Sequence, residues 1–282
     1  MSIDKYKVWY ITIIWRPNTG KSTFINTLIW EKVSIVSSIP QTTRKKVLWI
    51  YNTPEAQIIF IDTPWIHSSA HKFNQKLNDE ALWGLEQSDV ILYFVDSMKQ
   101  KGEEEKFLEE VFEKVKKPKI KVFTKIDTGL HAEAWFLTIS SLKKKGFDPL
   151  LEQIISYLPT SPLLYPQEYY TSQTMDERSE EIVREKIFLT MHEEIPHSVF
   201  VKVEEIEDTP KILKILCYIF TETESQKTII IWKGGSMLTK IGKEARLDLE
   251  KIFWRKVFLS LRLKVSPKWR QDEALLNRMF IK

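Results

Sequence analysis

The stretch Trp15-Arg16-Pro17-Asn18-Thr19-Gly20-Lys21-Ser22-Thr23 decides the fold of this 282-residue chain. It follows an apolar, β-branched run at residues 11–14 and precedes residues with helical spacing at 23–28. In a strand, tight loop and helix start of this order, the loop N–H groups and the helix N-terminus surround phosphate oxygens. The template G-x-x-x-x-G-K-[ST] is met at every fixed position except the first, where Trp15 replaces glycine. The sequence therefore predicts a phosphate-binding loop.

Lys21 and Ser22 are the two side chains of this loop with a defined chemical task. We predict that Lys21 reaches the outer phosphate oxygens, which makes it a candidate catalytic residue. The hydroxyl of Ser22 is a predicted ligand of Mg²⁺. A chance Gly-Lys-Ser at a helix start is the alternative on these residues alone, and the motifs further along the chain argue against it.

A second polar segment, Asp62-Thr63-Pro64-Trp65-Ile66, follows the apolar run at 56–61. In a D-x-x-G segment at a strand end, the Asp holds Mg²⁺ through water and the Gly N–H meets the γ-phosphate of a nucleotide. Asp and Pro also end strands without any ligand, but the 41-residue separation of Asp62 from Lys21 favours the functional interpretation. We predict that all five residues contact the nucleotide and that Asp62 is a water-mediated metal ligand.

A third segment, Thr124-Lys125-Ile126-Asp127, resembles the pattern N-K-x-D with Thr in its first position. The carboxylate of Asp127 can accept two parallel hydrogen bonds from N1 and N2 of guanine, which adenine cannot supply, so such a site selects guanine. Lys125 is predicted to cover the base and to brace the phosphate loop. Ser140 and Ser141 are predicted to contact guanine through their backbone.

The loop Gln41-Thr42-Thr43-Arg44 follows the first predicted helix. Thr43 is predicted to bind Mg²⁺ through its hydroxyl and the γ-phosphate through its N–H, and is the second candidate catalytic residue. This loop would then be ordered with GTP and loose with GDP. Ile66 stands where Ras-like enzymes place a water-orienting Gln, so slow intrinsic hydrolysis is predicted.

Composition and charge indicate a globular cytoplasmic protein with a polyanion partner. No apolar run approaches the ~20 residues of a membrane span, the start is unlike a signal peptide, and the single cysteine, Cys217, excludes an internal disulfide framework. Residues 225–282 contain 14 Lys or Arg and 5 Asp or Glu, a net charge of +9, whereas residues 1–224 carry −5. The basic end of the chain therefore predicts binding to a polyanion such as RNA.

The basic end contains Ile231-Trp232-Lys233-Gly234-Gly235-Ser236, a G-x-x-G-like segment with Trp in the position of the first Gly. A loop of this kind between two helices lets a nucleic-acid backbone approach closely, while apolar side chains pack against bases. A basic amphipathic helix packed on a sheet without RNA is the alternative. The predicted phosphate contacts are Lys233, Lys240, Lys243 and Arg246.

The alternation of strands and helices predicts an α/β fold: a doubly wound, mostly parallel P-loop sheet with its ligand at the carboxyl ends of the strands. A smaller α+β, KH-like (type II) domain is predicted to follow, beginning with a helix over 178–192 and a strand over 197–205. The predicted borders are 1–160 for the nucleotide-binding G domain, 161–177 for a Pro- and Tyr-rich linker and 178–282 for the RNA-binding domain.

These motifs in this order resemble the Era family of bacterial GTPases. Further marks are the helix around Ile182-Val183-Arg184-Glu185-Lys186 and the segment Pro267-Lys268-Trp269-Arg270, so the resemblance covers nearly the whole chain. It implies a cytoplasmic, Mg²⁺-dependent factor that binds GTP or GDP, the 3′ end of 16S rRNA and the 30S subunit during assembly. In some members it implies peripheral association with the inner membrane. It also implies that Asn18 binds K⁺. We expect a monomer.

Tryptophans mark the departures from the family pattern, which has glycine at these positions. They are Trp9, Trp15, Trp30, Trp49, Trp65, Trp232 and Trp254. One hypothesis is that the cell decodes the UGA codon as glycine. The sequence would then show tryptophan at these positions because UGA was translated as tryptophan. If Trp15 and Trp65 are genuine, the alternative is an RNA-binding assembly protein whose nucleotide site does not hydrolyse GTP. A third class, a GTPase acting on tRNA or membranes, is disfavoured by the KH-like segment.

Overall fold

The computed structural model describes residues 6–29, 47–64, 72–98, 102–129, 136–191, 194–272 and 276. Contacts divide the chain into two compact units, Met1–Ser172 and Gln173–Lys282, each with its own hydrophobic core. The division falls inside the predicted linker, 161–177, while the predicted domain borders stay predictions.

A six-stranded sheet in the order β2-β3-β1-β4-β5-β6 forms the centre of the first unit. Its strands are β1 (Lys7–Trp15), β2 (Val47–Asn52), β3 (Ala56–Asp62), β4 (Val90–Asp96), β5 (Lys119–Thr124) and β6 (Leu137–Thr138). Among these strands β2 alone runs antiparallel, to β3. The central strands are nearly continuous apolar runs, as expected of parallel strands buried on both faces. The predicted mostly parallel sheet is confirmed.

Aromatic packing fixes the first helix against this sheet. The described helices of the unit are α1 (Lys21–Ile29), α2 (Lys72–Gln87), α3 (Glu103–Lys114) and α4 (Phe147–Tyr157). Phe24 in α1 is fully buried, and its ring lies edge-on to Phe60 and Phe94, with centroid distances of 5.9 and 5.1 Å. Phe147 at the start of α4 stacks on it at 5.2 Å. Because Phe24 lies in the first turn of α1, this packing also holds the end of the preceding loop.

The carboxyl ends of the parallel strands bring the predicted site segments to one edge of the sheet. β1 ends at Trp15, β3 at Asp62, β4 at Asp96 and β5 at Thr124. In the strand register Trp15 pairs with Phe94, and Asp96 pairs with Thr124. In sheets of this kind, ligands bind outside this edge.

Residues 159–172 are hydrogen-bonded to β1, β3 and the edge strand β2 of the first unit. The Ile50 N–H donates to the Tyr170 carbonyl at 3.0 Å. The Gln57 side-chain amide donates to the Tyr165 carbonyl at 2.9 Å, and its oxygen accepts the Tyr165 N–H at 3.0 Å. The first part of the predicted linker is therefore ordered against the sheet. Its Pro- and Tyr-rich composition indicated irregular structure, but not these contacts.

The second unit is an α+β fold with a three-stranded sheet in the order β7-β8-β9. Its strands are β7 (Phe200–Asp208), β8 (Leu213–Thr221) and β9 (Val257–Val265), and its described helices are α5 (Met175–Thr190), α6 (Ile195–Ser198), α7 (Glu224–Ile231) and α8 (Ser236–Phe253). β7 pairs antiparallel with β8, and β8 pairs in parallel with β9. Apolar side chains of α5, α8 and the sheet form the core. This unit confirms the predicted smaller α+β domain.

Two element boundaries differ from the sequence prediction. The strand predicted over 197–205 begins at Phe200, because Pro196 favours the first turn of the short helix α6. The helix predicted over 178–192 begins at Met175, because the preceding threonine accepts an N–H hydrogen bond from the first turn.

Cys217 is fully buried in β8. Burial raises the pKa of its thiol to about 12, so the thiol stays protonated at neutral pH. It therefore packs as a small apolar residue. In the part of the chain that the structure describes, no helix combines the length and apolar character needed to span a bilayer.

Candidate nucleotide site and RNA-binding loop

The predicted phosphate-binding loop connects β1 to α1. The Thr19 N–H donates to the Arg16 carbonyl at 3.2 Å, which closes a turn, and the Phe24 N–H donates to the Gly20 carbonyl at 2.8 Å, which starts the helix. Gly20 has a φ of 94°, a left-handed conformation that glycine adopts without strain. The following N–H groups of α1 thus stand at a helix N-terminus, where anions bind.

Lys21 is buried at the start of α1 and faces Asp62. Its Nζ donates one hydrogen bond to the Asp62 carboxylate and another to the Thr63 carbonyl at 3.1 Å. It also lies 4.3 Å from the centre of the Trp15 ring. The structure therefore pairs the predicted phosphate-binding cation with the predicted metal-binding carboxylate, and each compensates the other's buried charge.

Asp62 has a second partner, Trp49, which the sequence did not indicate as part of the site. The Trp49 Nε1–H donates to the other carboxylate oxygen at 3.1 Å. The Ser22 hydroxyl and the Asp62 carboxylate are hard oxygen donors, so this donor set fits Mg²⁺. Among the described residues no group of three or more His, Cys, Asp or Glu could hold a metal alone.

Thr124 connects the third motif to the phosphate loop. Its hydroxyl donates to the Thr19 carbonyl at 2.7 Å, so the threonine that replaces Asn in N-K-x-D braces the loop directly. Lys125 has a φ of 61°, and its Nζ contacts the Asp96 carboxylate at 2.9 Å. Asp96 was not among the predicted residues, although an Asp at the end of the neighbouring strand is the signal that would have found it.

Asp127 is exposed and is oriented by Ser140. The Ser140 hydroxyl donates to the Asp127 carboxylate and accepts the Lys143 N–H at 3.1 Å. The Ser141 carbonyl accepts a hydrogen bond from the Thr27 hydroxyl at 3.3 Å. The structure therefore brings the predicted guanine-binding segments together and leaves one edge of the Asp127 carboxylate towards solvent, where a base can approach.

An ion pair that sequence reasoning missed joins the phosphate loop to α3. Arg16 Nη1 lies 2.5 Å from Glu105 Oε1, and the other oxygen of this buried carboxylate accepts the Gly102 N–H at 3.0 Å. One carboxylate thus links the loop to the first turn of a helix. Burial, followed by the charges of Glu109 and Glu105, raises the pKa of Tyr93 in β4, which stays a neutral phenol.

The predicted RNA-binding segment forms the connection between α7 and α8, as a G-x-x-G loop between two helices requires. Gly234 and Gly235 have φ values of 69° and 89°, and no heavy atom would lie within 4 Å of a β-carbon on either residue. The open backbone there can be approached closely. Ile231 ends α7, Ser236 begins α8, and Trp232 is half exposed.

The basic side chains of α8 are not equivalent. Lys240 and Lys243 are exposed. Arg246 contacts the Glu250 carboxylate at 2.8 Å, so its charge is partly compensated within the helix. Lys233 lies in the loop itself, and its side chain is outside the described part of the structure.

Several predicted site residues fall outside the described residues. They are Thr43 with the rest of 41–44, Trp65 and Ile66. Their roles stay predictions. The described members of the other three segments lie at one edge of the first unit, linked by the Lys21–Asp62, Thr124–Thr19 and Asp127–Ser140 contacts.

Known proteins named GTPase Era match this chain over nearly its full length. The protein from Heliobacterium modesticaldum is 38% identical over 290 residues, which cover 98% of this chain and 97% of the relative. The protein from Treponema denticola is 38% identical over 288 residues, which cover 95% and 98%. The chain belongs to the Era family of GTPases.

Domain families and solved structures agree with this Era assignment. The family described as 50S ribosome-binding GTPase matches residues 10–125, and the KH domain family matches residues 194–270. Two solved Era structures each give a TM-score of 0.90 at 36% identity and cover 98% of this chain and 99% of their own. One is a variant of Aquifex aeolicus Era bound to GDP and AlF4⁻, and the other holds MgGDPNP and nucleotides 1506–1542 of 16S ribosomal RNA. The predicted family, fold class and GTPase class are confirmed.

Proposed function

We propose that this Era-family GTPase hydrolyses Mg²⁺-bound GTP in its first unit, binds the 3′-terminal part of 16S rRNA through its second and assists assembly of the 30S subunit. The observation that carries the proposal is the full-length likeness to an Era structure that holds both MgGDPNP and that RNA segment. The 50S ribosome-binding GTPase family matches residues 10–125 only, whereas the Era structure with 16S rRNA matches nearly the whole chain. We therefore propose 16S rRNA as the RNA partner.

The first unit supplies binding and charge stabilisation. Lys21 moves from Asp62 to the outer phosphate oxygens when nucleotide enters, and the N–H groups at the start of α1 bind the inner phosphates. Ser22 and Thr43, with Asp62 through water, hold the magnesium ion, which neutralises charge on the β- and γ-phosphates. Asp127 selects guanine, while Thr124 fixes the loop that carries the phosphates.

Potassium is the proposed partner of Asn18. Asn18 has a φ of 68° inside the phosphate loop, and Ile66 offers no side chain that could orient water. A cation beside the phosphates would add charge stabilisation that the side chains lack. GTP hydrolysis by the full chain is expected to be at least several-fold faster in K⁺ than in Na⁺ at equal ionic strength, and Asn18→Ala should abolish the difference. Equal rates in both salts contradict this role.

The second unit supplies the RNA contacts. The open Gly234-Gly235 backbone admits the sugar-phosphate chain, Ile231 packs against bases, and the exposed Lys240 and Lys243 bind phosphates. Peripheral association with the inner membrane, a cytoplasmic location and a monomeric state, which the resemblance implies, stay part of this proposal.

A second function, RNA binding without GTP hydrolysis, is favoured by one observation in the nucleotide site. Indole rings contact both charged groups of the buried pair: Trp15 lies over Lys21, and Trp49 donates to Asp62. If both rings stay in place, they compete with phosphate and metal for these groups.

Hydrolysis and RNA binding by the full chain test the two candidates. We expect turnover of GTP but not ATP, and binding of an RNA with the sequence of 16S nucleotides 1506–1542. A Lys240→Glu/Lys243→Glu variant should lose RNA binding and keep GTP turnover, whereas Lys251→Glu, near the far end of α8, should change neither. RNA binding without turnover supports the second candidate, and equal turnover of ATP and GTP contradicts the proposed guanine site.

A further inference from the structure

Trp269 shows how this fold accommodates a tryptophan. Its side chain is fully buried, its ring lies 5.7 Å from that of Phe200, and its Nε1 donates to the Ser198 carbonyl at 2.9 Å. A buried indole normally has both apolar packing and a hydrogen-bond acceptor of this kind. Trp269 has both, and the other tryptophans can be compared with it in packing and in hydrogen bonding.

Trp254 meets neither condition. It follows α8 with φ 53° and ψ 36°, and its N–H donates to the Glu250 carbonyl. A residue that closes a helix in this left-handed conformation is most often glycine, because a β-carbon strains it. The Trp254 side chain is 86% exposed, so packing does not offset that strain. The backbone at 254 is that of a helix-ending glycine.

Trp232 has a backbone conformation that is rarer still for a side-chain-bearing residue. Its φ is 41° and its ψ is 139°. Positive φ with such a ψ lies outside the left-handed helical region and is an outlier for a bulky residue. Gly234 and Gly235 beside it also have positive φ, and the indole is half exposed. Position 232 thus belongs to a run of backbone built for glycine.

Trp15, unlike the exposed Trp254, is buried but lacks the hydrogen bond that a buried indole needs. It is buried at the end of β1, yet its Nε1 has no hydrogen-bond partner among the described residues. A buried N–H without an acceptor destabilises the folded state. Its ring lies against Lys21 at the first position of the phosphate loop, where close approach of the backbone to phosphate favours glycine.

Left-handed backbone alone does not identify these positions, because Lys125, Lys144 and Lys268 also have φ between 52° and 61°. Composition provides the independent observation. The chain has 10 Trp but only 8 Gly in 282 residues, less than half the usual glycine share of about 7%. Glycine is scarce in this chain while tryptophan is abundant, which is the direction in which an exchange of glycine for tryptophan would shift the composition.

We propose that positions 15, 232 and 254 are glycine in the natural protein. The codon that is translated as tryptophan in this sequence would be decoded as glycine in the cell that makes the protein. The proposal deepens the proposed function, on which its consequence rests: glycine at 15 frees the Lys21 face of the phosphate loop, and glycine at 232 completes the open RNA-binding loop. Trp269 remains tryptophan.

The masses of peptides from the protein isolated from its own cells test this directly and do not depend on GTP or RNA binding. Trypsin releases residues 228–233 and 252–255, which contain positions 232 and 254, and residues 269–270 as the control. We expect the first two to be lighter by the difference between a tryptophan and a glycine residue, and the third to have the mass written here. Tryptophan at 232 or 254 overturns the proposal, while a failed GTPase assay with glycine present would overturn only the proposed function.

Thermal unfolding of the recombinant full chain provides a second test. Trp254→Gly is expected to raise the unfolding midpoint of the second unit by about 2–5 °C, because it removes left-handed strain without removing buried contacts. Trp269→Gly should lower that midpoint by more than about 10 °C, because it empties a core position. Lys268→Gly is the matched control, because it also places glycine at a residue with left-handed backbone, in this case beside the buried Trp269. A midpoint that Trp254→Gly leaves unchanged or lowers contradicts the argument from the backbone.

Discussion

Asp127→Asn is expected to lower the affinity for GTP by at least about 100-fold and to create measurable affinity for xanthosine triphosphate. The carboxylate offers two acceptors to the N1–H and N2–H groups of guanine, whereas an amide offers one acceptor and one donor. The amide accepts from only one of these groups and turns its own N–H towards the other, so one charge-assisted hydrogen bond is lost and the second becomes a neutral one. Charge-assisted bonds are worth about 1.5–3 kcal/mol each, and the affinity falls accordingly. Xanthine, which has a carbonyl in place of the guanine amine, matches the amide instead.

Competition of GTP, xanthosine triphosphate and ATP for a fluorescent GDP analogue measures this exchange. Asp148→Asn, a similar change at the first turn of α4, is the control and should leave all three affinities unchanged. Ser140→Ala should weaken GTP binding more modestly, since it frees the Asp127 carboxylate without removing an acceptor. If Asp127→Asn keeps full affinity for GTP, guanine is recognised by residues other than Asp127.

The sequence predicted the fold because the fold follows from local patterns, and the same patterns place the predicted site segments at strand ends. The apolar run that ends in Asp62 reads directly as a buried parallel strand, and the alternating segment that ends in Thr124 reads as a strand with one buried face; both place a polar residue at the carboxyl end of a strand. Thr124 stands in the position of Asn in N-K-x-D, and its hydroxyl makes a direct contact there, to the Thr19 carbonyl.

Contacts between distant parts of the chain were not predictable in the same way. Glu105 belongs to a run of four charged residues at the start of α3, and only its buried position beside Arg16 separates it from a solvated helix surface. Trp49 lies in the middle of a strand, and its bond to Asp62 depends on the pairing of β2 with β3. The attachment of residues 159–172 to β1, β3 and β2 likewise leaves no periodic signal, because it rests on backbone bonds and on single polar side chains such as Gln57.

Lys21→Ala is expected to destabilise the nucleotide-free protein as well as to abolish tight nucleotide binding. Lys21 and Asp62 both have almost no side-chain exposure, so removal of the cation leaves a buried carboxylate without its counter-charge. Breaking a buried ion pair from one side costs about 3–5 kcal/mol, although the Trp49 N–H retains part of the compensation. Denaturant unfolding without nucleotide measures the loss.

Lys125→Ala is the matched control at the same edge of the sheet. It also breaks a lysine–aspartate pair with a buried carboxylate, but the Lys125 side chain is 36% exposed, so the two pairs differ in the burial of the cation and water screens this one from the lysine side. A contribution of less than about 1 kcal/mol is expected from such a pair. Equal losses in the two variants would show that burial does not distinguish them.

The double variant Lys21→Ala/Asp62→Asn separates stability from function. With the charge removed from position 62, most of the lost unfolding free energy should return, because a neutral amide costs less to bury and can accept the Trp49 N–H. GTP affinity should stay at least about 100-fold below that of the parent, since the cation for the outer phosphates is still missing. Recovery of stability without recovery of binding would assign Lys21 two separate tasks: it neutralises Asp62 in the empty site and binds phosphate in the filled one. Recovery of neither would mean that Lys21 stabilises the unit through its contacts with Trp15 and Thr63 instead.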